Sequence, residues 1–178
     1  MGLRINFFGG PGVGKSTLAA QLFGHLKAKG FDVELAQEFI KTWAYQRREL
    51  RSFDYVYTFA KQLHAEDLFL QAGVNMVVTD SPMMLQVMYA VHQQRPAARE
   101  LRHIAEEFDR VYQSINFLVD RLVPYKPQGR YQTPGSAGAM HDTIANYLHE
   151  WRIPHITVPP GDLARVIQEM DKAYSIVR

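Results

Sequence analysis

The stretch Gly9-Gly10-Pro11-Gly12-Val13-Gly14-Lys15-Ser16 constrains this chain more than any other. It matches G-x-x-x-x-G-K-[ST] at every fixed position. Such a loop works in one context, between a buried strand and the start of a helix. Both flanks fit: Leu3 to Phe8 reads as a strand, and Lys15 to Lys29 as a helix ended by Gly30. Glycines let successive backbone N–H groups turn inward around an anion, and the helix start adds its positive dipole end. Gly10, Gly12, Val13 and Gly14 supply that backbone. Lys15 can reach the β- and γ-phosphates, the Ser16 hydroxyl can ligate Mg²⁺, and Thr17 is close enough for the α-phosphate. The expected ligands are therefore a nucleoside triphosphate, ATP or GTP, and Mg²⁺. The loop does not say what is done with them.

The rest of the chain alternates short apolar runs with helical patterns. Strands are expected at Asp32–Ala36, Val74–Thr79, Ile115–Asp120 and Ile153–Val158. Helices are expected at Phe53–Ala72, Pro96–Gln113, Ala139–Trp151 and Gly161–Lys172, with Leu122–Gly138 as a long loop. Such alternation predicts an α/β fold: a five-stranded parallel sheet with helices on both faces. In such a sheet the loops at the carboxyl ends of strands carry the site. The irregular segments 37–52 and 121–138 both follow strands.

Composition narrows the class. At roughly 150 residues per domain, 178 residues make a single domain over 1–178. Hydrophobic residues at 47% and charged residues at 21% exclude a disordered or collagenous chain. The absence of cysteine excludes disulfides, thiolate zinc sites and a cysteine nucleophile. A net charge of +2 neither predicts nor excludes a nucleic-acid partner. No signal-peptide pattern opens the chain, and no run approaches the roughly 18 apolar residues of a membrane span. A cytoplasmic protein with no membrane partner is expected. An oligomeric AAA+ motor is not, since this length leaves no room for the helical lid domain of such motors.

Several residues fit phosphoryl-transfer chemistry. Asp80 ends the third strand and can hold Mg²⁺ opposite Ser16, or else cap the next helix together with Ser81. Glu38, just past the second strand, can take the proton of an acceptor hydroxyl, or else simply favour a helix start. Arg121 and Arg130 bracket a Pro- and Gly-punctuated loop that reads as a closing lid over about 121–138. Its cations, with Lys126 the weakest, would clamp the transferred phosphoryl group. The alternative is a solvated basic loop.

Segment 41–51 interleaves Lys41, Arg47, Arg48 and Arg51 with Trp43 and Tyr45. Cations grip phosphates and rings stack on bases, so Trp43, Tyr45 and Arg47 are candidate contacts to a nucleotide or a single-stranded acceptor. An exposed helix with core-filling aromatics reads equally well. The seven histidines show no metal-ligand spacing, and Met83, Met84 and Met88 read as core or pocket lining.

Four features occur in order: Gly9–Thr17, Glu38, Thr79-Asp80-Ser81-Pro82, and Asp120-Arg121 through Gly129-Arg130-Tyr131-Gln132-Thr133. Together they resemble the P-loop kinases related to the nicotinamide riboside kinase domain. Ala36–Ala44 and Gly129–Thr133 make the chain most similar to the bacteriophage 5-hydroxymethyluridine DNA kinases, over about residues 5 to 160. That resemblance implies transfer of the γ-phosphate of ATP to the hydroxymethyl group of 5-hydroxymethyluracil in DNA, a step in phage DNA hypermodification. A phage protein would work in the host cytoplasm. It further implies that Lys15 and Ser16 bind ATP and Mg²⁺. Asp80 would organise the metal or activate the acceptor, with Glu38 as the alternative base, and Arg121 and Arg130 would clamp the phosphoryl group. Trp43, Tyr45 and Arg47 would meet a flipped or unpaired base. A kinase for a free nucleoside, nucleotide or nicotinamide riboside would use the same residues. A nucleotide-dependent regulatory switch would need only the loop.

Overall fold

The computed structural model describes residues 2–121 and 134–177. In chain order the elements are β1 (Leu3–Phe8), α1 (Lys15–Ala28), β2 (Val33–Ala36), α2 (Lys41–Tyr45), α3 (Asp54–Gln71), β3 (Met76–Thr79), α4 (Met83–His92), α5 (Ala98–Val111), β4 (Ser114–Val119), α6 (Pro134–Glu150), β5 (Ile156–Val158) and α7 (Leu163–Val177). The strands form one sheet in the order β2-β3-β1-β4-β5, with every pairing parallel. This is the five-stranded parallel sheet expected from the alternation.

β1 shows why the sheet needs two helical layers. All six of its residues are buried, so neither face meets water. Leu3, Ile5 and Phe7 pack with Leu18, Leu22 and Leu26 of α1 and with Val166 and Met170 of α7. Phe8 joins the opposite layer, with Phe59 of α3, Val87 of α4, Phe108 of α5 and Ile144 of α6. The two polar residues of β1 survive burial because each has partners. Asn6 Nδ2 donates to Asn116 Oδ1 at 2.9 Å. The Arg4 guanidinium lies 4.7 Å from the Phe108 ring centre and pairs with Asp109.

Several boundaries differ from expectation. β5 begins at Ile156 rather than Ile153, and α7 continues past Lys172 to Val177. The expected loop through Gly138 ends earlier, because α6 starts at Pro134. Proline suits a first helical position, where its missing N–H costs nothing. Interior glycine weakens a helix by about 1 kcal/mol, yet α6 tolerates Gly138 because Ala137, Met140 and His141 around it are buried. Tertiary contact outweighs propensity there.

The topology places the site. β2 and β3 lie on one side of β1, and β4 and β5 on the other. The connections that leave the carboxyl end of β1 and of β3 therefore diverge, opening a crevice at that end.

Candidate functional site

The glycine loop bridges β1 and α1. Gly14 caps α1 in the left-handed region at φ 101°, with no side-chain cap and no acid in the first turn. The first N–H groups of the helix are thus left to an anion rather than to a neighbouring side chain. Lys15 Nζ folds back over the loop and donates to Gly9 O at 2.8 Å and to Gly10 O at 2.9 Å. Val13 is fully buried in the layer beneath, which fixes the loop to the sheet.

The back of the loop rests on α6. Gly10 N–H donates to His141 Nδ1 at 3.2 Å. A Cβ on Gly10 would come within 2.7 Å of the His141 Cβ and 2.9 Å of Ala137 O, so only glycine fits this approach. The accepted bond requires Nδ1 to be unprotonated. Burial pushes the His141 pKa below its usual value; Asp142 and Asp120 oppose the shift, and Arg121 and Lys15 add to it.

A second group of side chains forms where β2 and β3 end. Their register pairs Ala36 with Thr79, so the residues that follow leave the sheet side by side. Glu38 N–H donates to Asp80 Oδ1 at 3.2 Å, and Asp80 is 7% exposed. Pro82 is the N-cap residue of α4 and no side chain caps that helix, so Asp80 and Ser81 do not serve as caps. Behind them, Gln62 Oε1 accepts from Phe39 N–H at 3.4 Å. Its Nε2 donates to Thr79 Oγ1 at 3.3 Å and to Glu66 Oε1 at 3.2 Å. Glu66 is fully buried, and that burial pushes its pKa up to about 7 against the opposing charge of Arg4.

The glycine loop and the β2 end open into one cavity of about 560 Å³. Gly12, Gly14, Lys15, Ser16 and Thr17 form one wall, and Glu38, Ile40, Lys41 and Tyr45 a second. Ser81, Leu85, Gln86 and Tyr89 form a third. A volume of this order accommodates a small ligand.

The structure brings most of the candidate residues together and separates others. Lys15, Ser16, Thr17, Glu38 and Tyr45 share the cavity. Asp80 lies directly behind it, tied to Glu38. The Ser16 hydroxyl and the Asp80 carboxylate are hard oxygen donors of the kind Mg²⁺ accepts, and phosphate and water would complete its shell. Among the described residues no cluster of three His, Cys, Asp or Glu could hold a metal by itself.

Trp43 is only 5% exposed and lies outside the cavity wall. Tyr57 stacks on it at 5.8 Å between ring centres, and the Arg48 guanidinium lies 3.5 Å from its ring centre. A ring that is buried and already in contact with Tyr57 and Arg48 has the geometry of a packing residue. Arg48 also pairs with Asp54, and Arg51 with Glu49, so half of the basic segment is engaged locally. Arg47 is exposed and lies outside the cavity wall. Arg121 runs beside Gly138 of α6, where its Nε would stand 3.8 Å from an added Cβ. Arg130 and Lys126 lie outside the described residues, as does most of the expected lid.

Four residues escaped the sequence reading. Gln62 and Glu66 had a legible signal, since they fall on the apolar stripe of α3 with Tyr55, Phe59 and Leu70. A polar pair four residues apart on a buried stripe must bond to something. His141 and Gln86 belong to no motif, and only packing brings them to the site.

A five-stranded parallel sheet with this loop after its central strand is the P-loop nucleotide-binding fold. Residues 4–165 match the model of a family described as AAA domain, and the chain belongs to that family. The match spans the sheet and the glycine loop, and it does not speak to the motors that carry a further helical domain. Among solved structures, the chain is similar to the NadR protein in complex with NR. The TM-score is 0.65 at 15% identity, over 88% of this chain and 45% of that one. That likeness is one of fold, and this chain spans less than half of that one. No curated protein matches the chain. Among the described residues, no helix is long and apolar enough to cross a membrane.

Proposed function

We propose that this chain is an ATP-dependent kinase acting on a primary hydroxyl carried by a nucleobase, with 5-hydroxymethyluracil in DNA as the acceptor. The observation that carries the reading is the single cavity shared by Lys15, Ser16 and Glu38. A switch needs only the phosphate loop. Here a carboxylate, Glu38, lines the same cavity of about 560 Å³ as the loop, a volume that suits a second substrate.

In this reading Glu38 accepts the proton of the acceptor hydroxyl. The acceptor oxygen bonds to the γ-phosphorus, the bond from that phosphorus to the bridging oxygen breaks, and ADP leaves. Glu38 is preferred to Asp80 as the base because it lines the cavity, whereas Asp80 is buried behind it. Asp80 orients the Glu38 backbone and, with Ser16, would hold Mg²⁺, which neutralises phosphate charge when bound. Lys15 exchanges the Gly9 and Gly10 carbonyls for phosphate oxygens. Arg121 and Arg130 are the cations assigned to the transferred group. Tyr45, with Lys41 in place of Trp43, meets the acceptor.

A second reading is a kinase for a free nucleoside, nucleotide or nicotinamide riboside. The bounded volume of the cavity favours it, and so does the fold likeness to a protein solved with NR.

Transfer from γ-labelled ATP separates the two. The assay offers DNA containing 5-hydroxymethyluracil, thymine DNA and a panel of free nucleosides, with Lys15→Ala as control. Label on the modified DNA alone is expected. Label on a nucleoside and none on DNA overturns the DNA reading, and label on nothing overturns both.

A further inference from the structure

α4 is apolar and buried almost throughout, with Met83, Met84, Leu85, Val87, Met88 and Ala90 in the core. Gln86 interrupts that run. It is 6% exposed, and neither its amide nitrogen nor its amide oxygen has a hydrogen-bond partner among the described residues. A buried polar group without a partner costs about 1–3 kcal/mol. A leucine or methionine would fill the same space without that cost. Native proteins leave few such groups, and each calls for a reason.

The reason lies in where Gln86 stands. It forms part of the cavity wall with Tyr89, three residues on along the same face of α4, and with Gln93, the residue that caps the helix. Ile40, Leu50, Tyr55 and Leu85 also line the cavity, so apolar and aromatic side chains stand beside the polar Gln93 and Arg95 on the wall to which Gln86 belongs. Such a setting suits a flat ring held by its faces and read at one edge.

We propose that Gln86 is the specificity-determining residue of the acceptor cavity, pairing with the edge of a ring that carries adjacent N–H and C=O groups. A primary amide offers a donor and an acceptor side by side. Its Nε2–H donates to the ring carbonyl and its Oε1 accepts from the ring N–H, once a change of side-chain rotamer turns the buried amide into the cavity. The acceptor class is then a lactam or imide ring, such as a uracil-type pyrimidine, rather than a sugar or an acyclic alcohol. This rests on the cavity being the acceptor site of the kinase proposed above.

The test is binding rather than turnover. The probes are 5-hydroxymethyl-2′-deoxyuridine, its N3-methyl counterpart, and short single-stranded DNAs carrying either base. Affinities are measured calorimetrically with a non-hydrolysable ATP analogue and Mg²⁺ present. A site built to bond a ring N–H rejects the analogue lacking it, here by about tenfold to a hundredfold. Gln86→Leu is expected to abolish that discrimination and to leave affinity for the ATP analogue unchanged. Gln86→Met serves if the leucine variant does not fold. Equal discrimination in wild type and variant overturns the proposal, as does no measurable binding of any probe to wild type. Discrimination by Gln86 without phosphoryl transfer would refute the kinase reading alone. Transfer with discrimination independent of Gln86 would refute this inference alone.

Discussion

Glu38 and Asp80, 42 positions apart, are joined by a hydrogen bond from the Glu38 backbone N–H to Asp80 Oδ1 at 3.2 Å. This bond ties the ends of two neighbouring strands and sets the angle at which Glu38 leaves the sheet. Asp80 thus acts through geometry, beside the charge role proposed for it above.

Two substitutions separate them. Asp80→Asn keeps an oxygen that can accept the Glu38 N–H and removes the charge, and Asp80→Ala removes both. Both variants are expected to lose phosphoryl transfer by about 10²-fold or more, because charge near the phosphates is lost in each. Only Asp80→Ala is expected to lose stability as well, by about 1–3 kcal/mol from the unpaired amide. Steady-state rates and urea denaturation, run side by side, read the two effects. Near-normal rates in Asp80→Asn would mean that Asp80 acts through geometry alone.

The contact of the loop with α6 leaves no room for a side chain at Gly10. In Gly10→Ala the new Cβ meets backbone at Ala137 O and the Cβ of His141, neither of which is a flexible side-chain end. Overpacking of this kind costs about 1–3 kcal/mol. The chemical-denaturation midpoint is expected to fall, and ATP affinity with it, because the strain lies in the loop that holds the phosphates. Unchanged stability would show that α6 moves away at little cost.

Glu66 gives a pH dependence of stability with a definite sign. Its pKa is raised from 4.5 to about 7 in the folded protein, by burial first, with Asp109 adding to the shift and Arg4 opposing it. A raised carboxyl pKa means that the folded state holds the proton more tightly than the unfolded chain. The contribution to stability is complete below about pH 4.5 and is lost as the pH rises through 7. The full span is at most about 3 kcal/mol. Urea midpoints between pH 5 and 8 are expected to fall with rising pH in the wild type, and to fall less in Glu66→Gln, which holds no titrating group there. Parallel curves would place the proton elsewhere.

The sequence by itself determined the five-stranded parallel sheet, the phosphate loop and the strand–loop–helix order that joins them. These rest on local rules: apolar runs covered on both faces, glycines where backbone N–H groups must turn inward, and a strand feeding a helix. Glu38 and Asp80 were legible for the same reason, since strand ends in a parallel sheet are found by counting. Trp43 shows where that reasoning stops. An aromatic beside cations looks the same in a base-stacking site and in a packed cluster, and only the positions of Tyr57 and Arg48 over its ring decide between them. Tertiary structure alone likewise set Gln86 into the cavity wall and His141 against Gly10. Those contacts join residues with no local pattern between them. They come from how whole helices dock on the sheet, and docking depends on the summed packing of both layers rather than on any short stretch of chain.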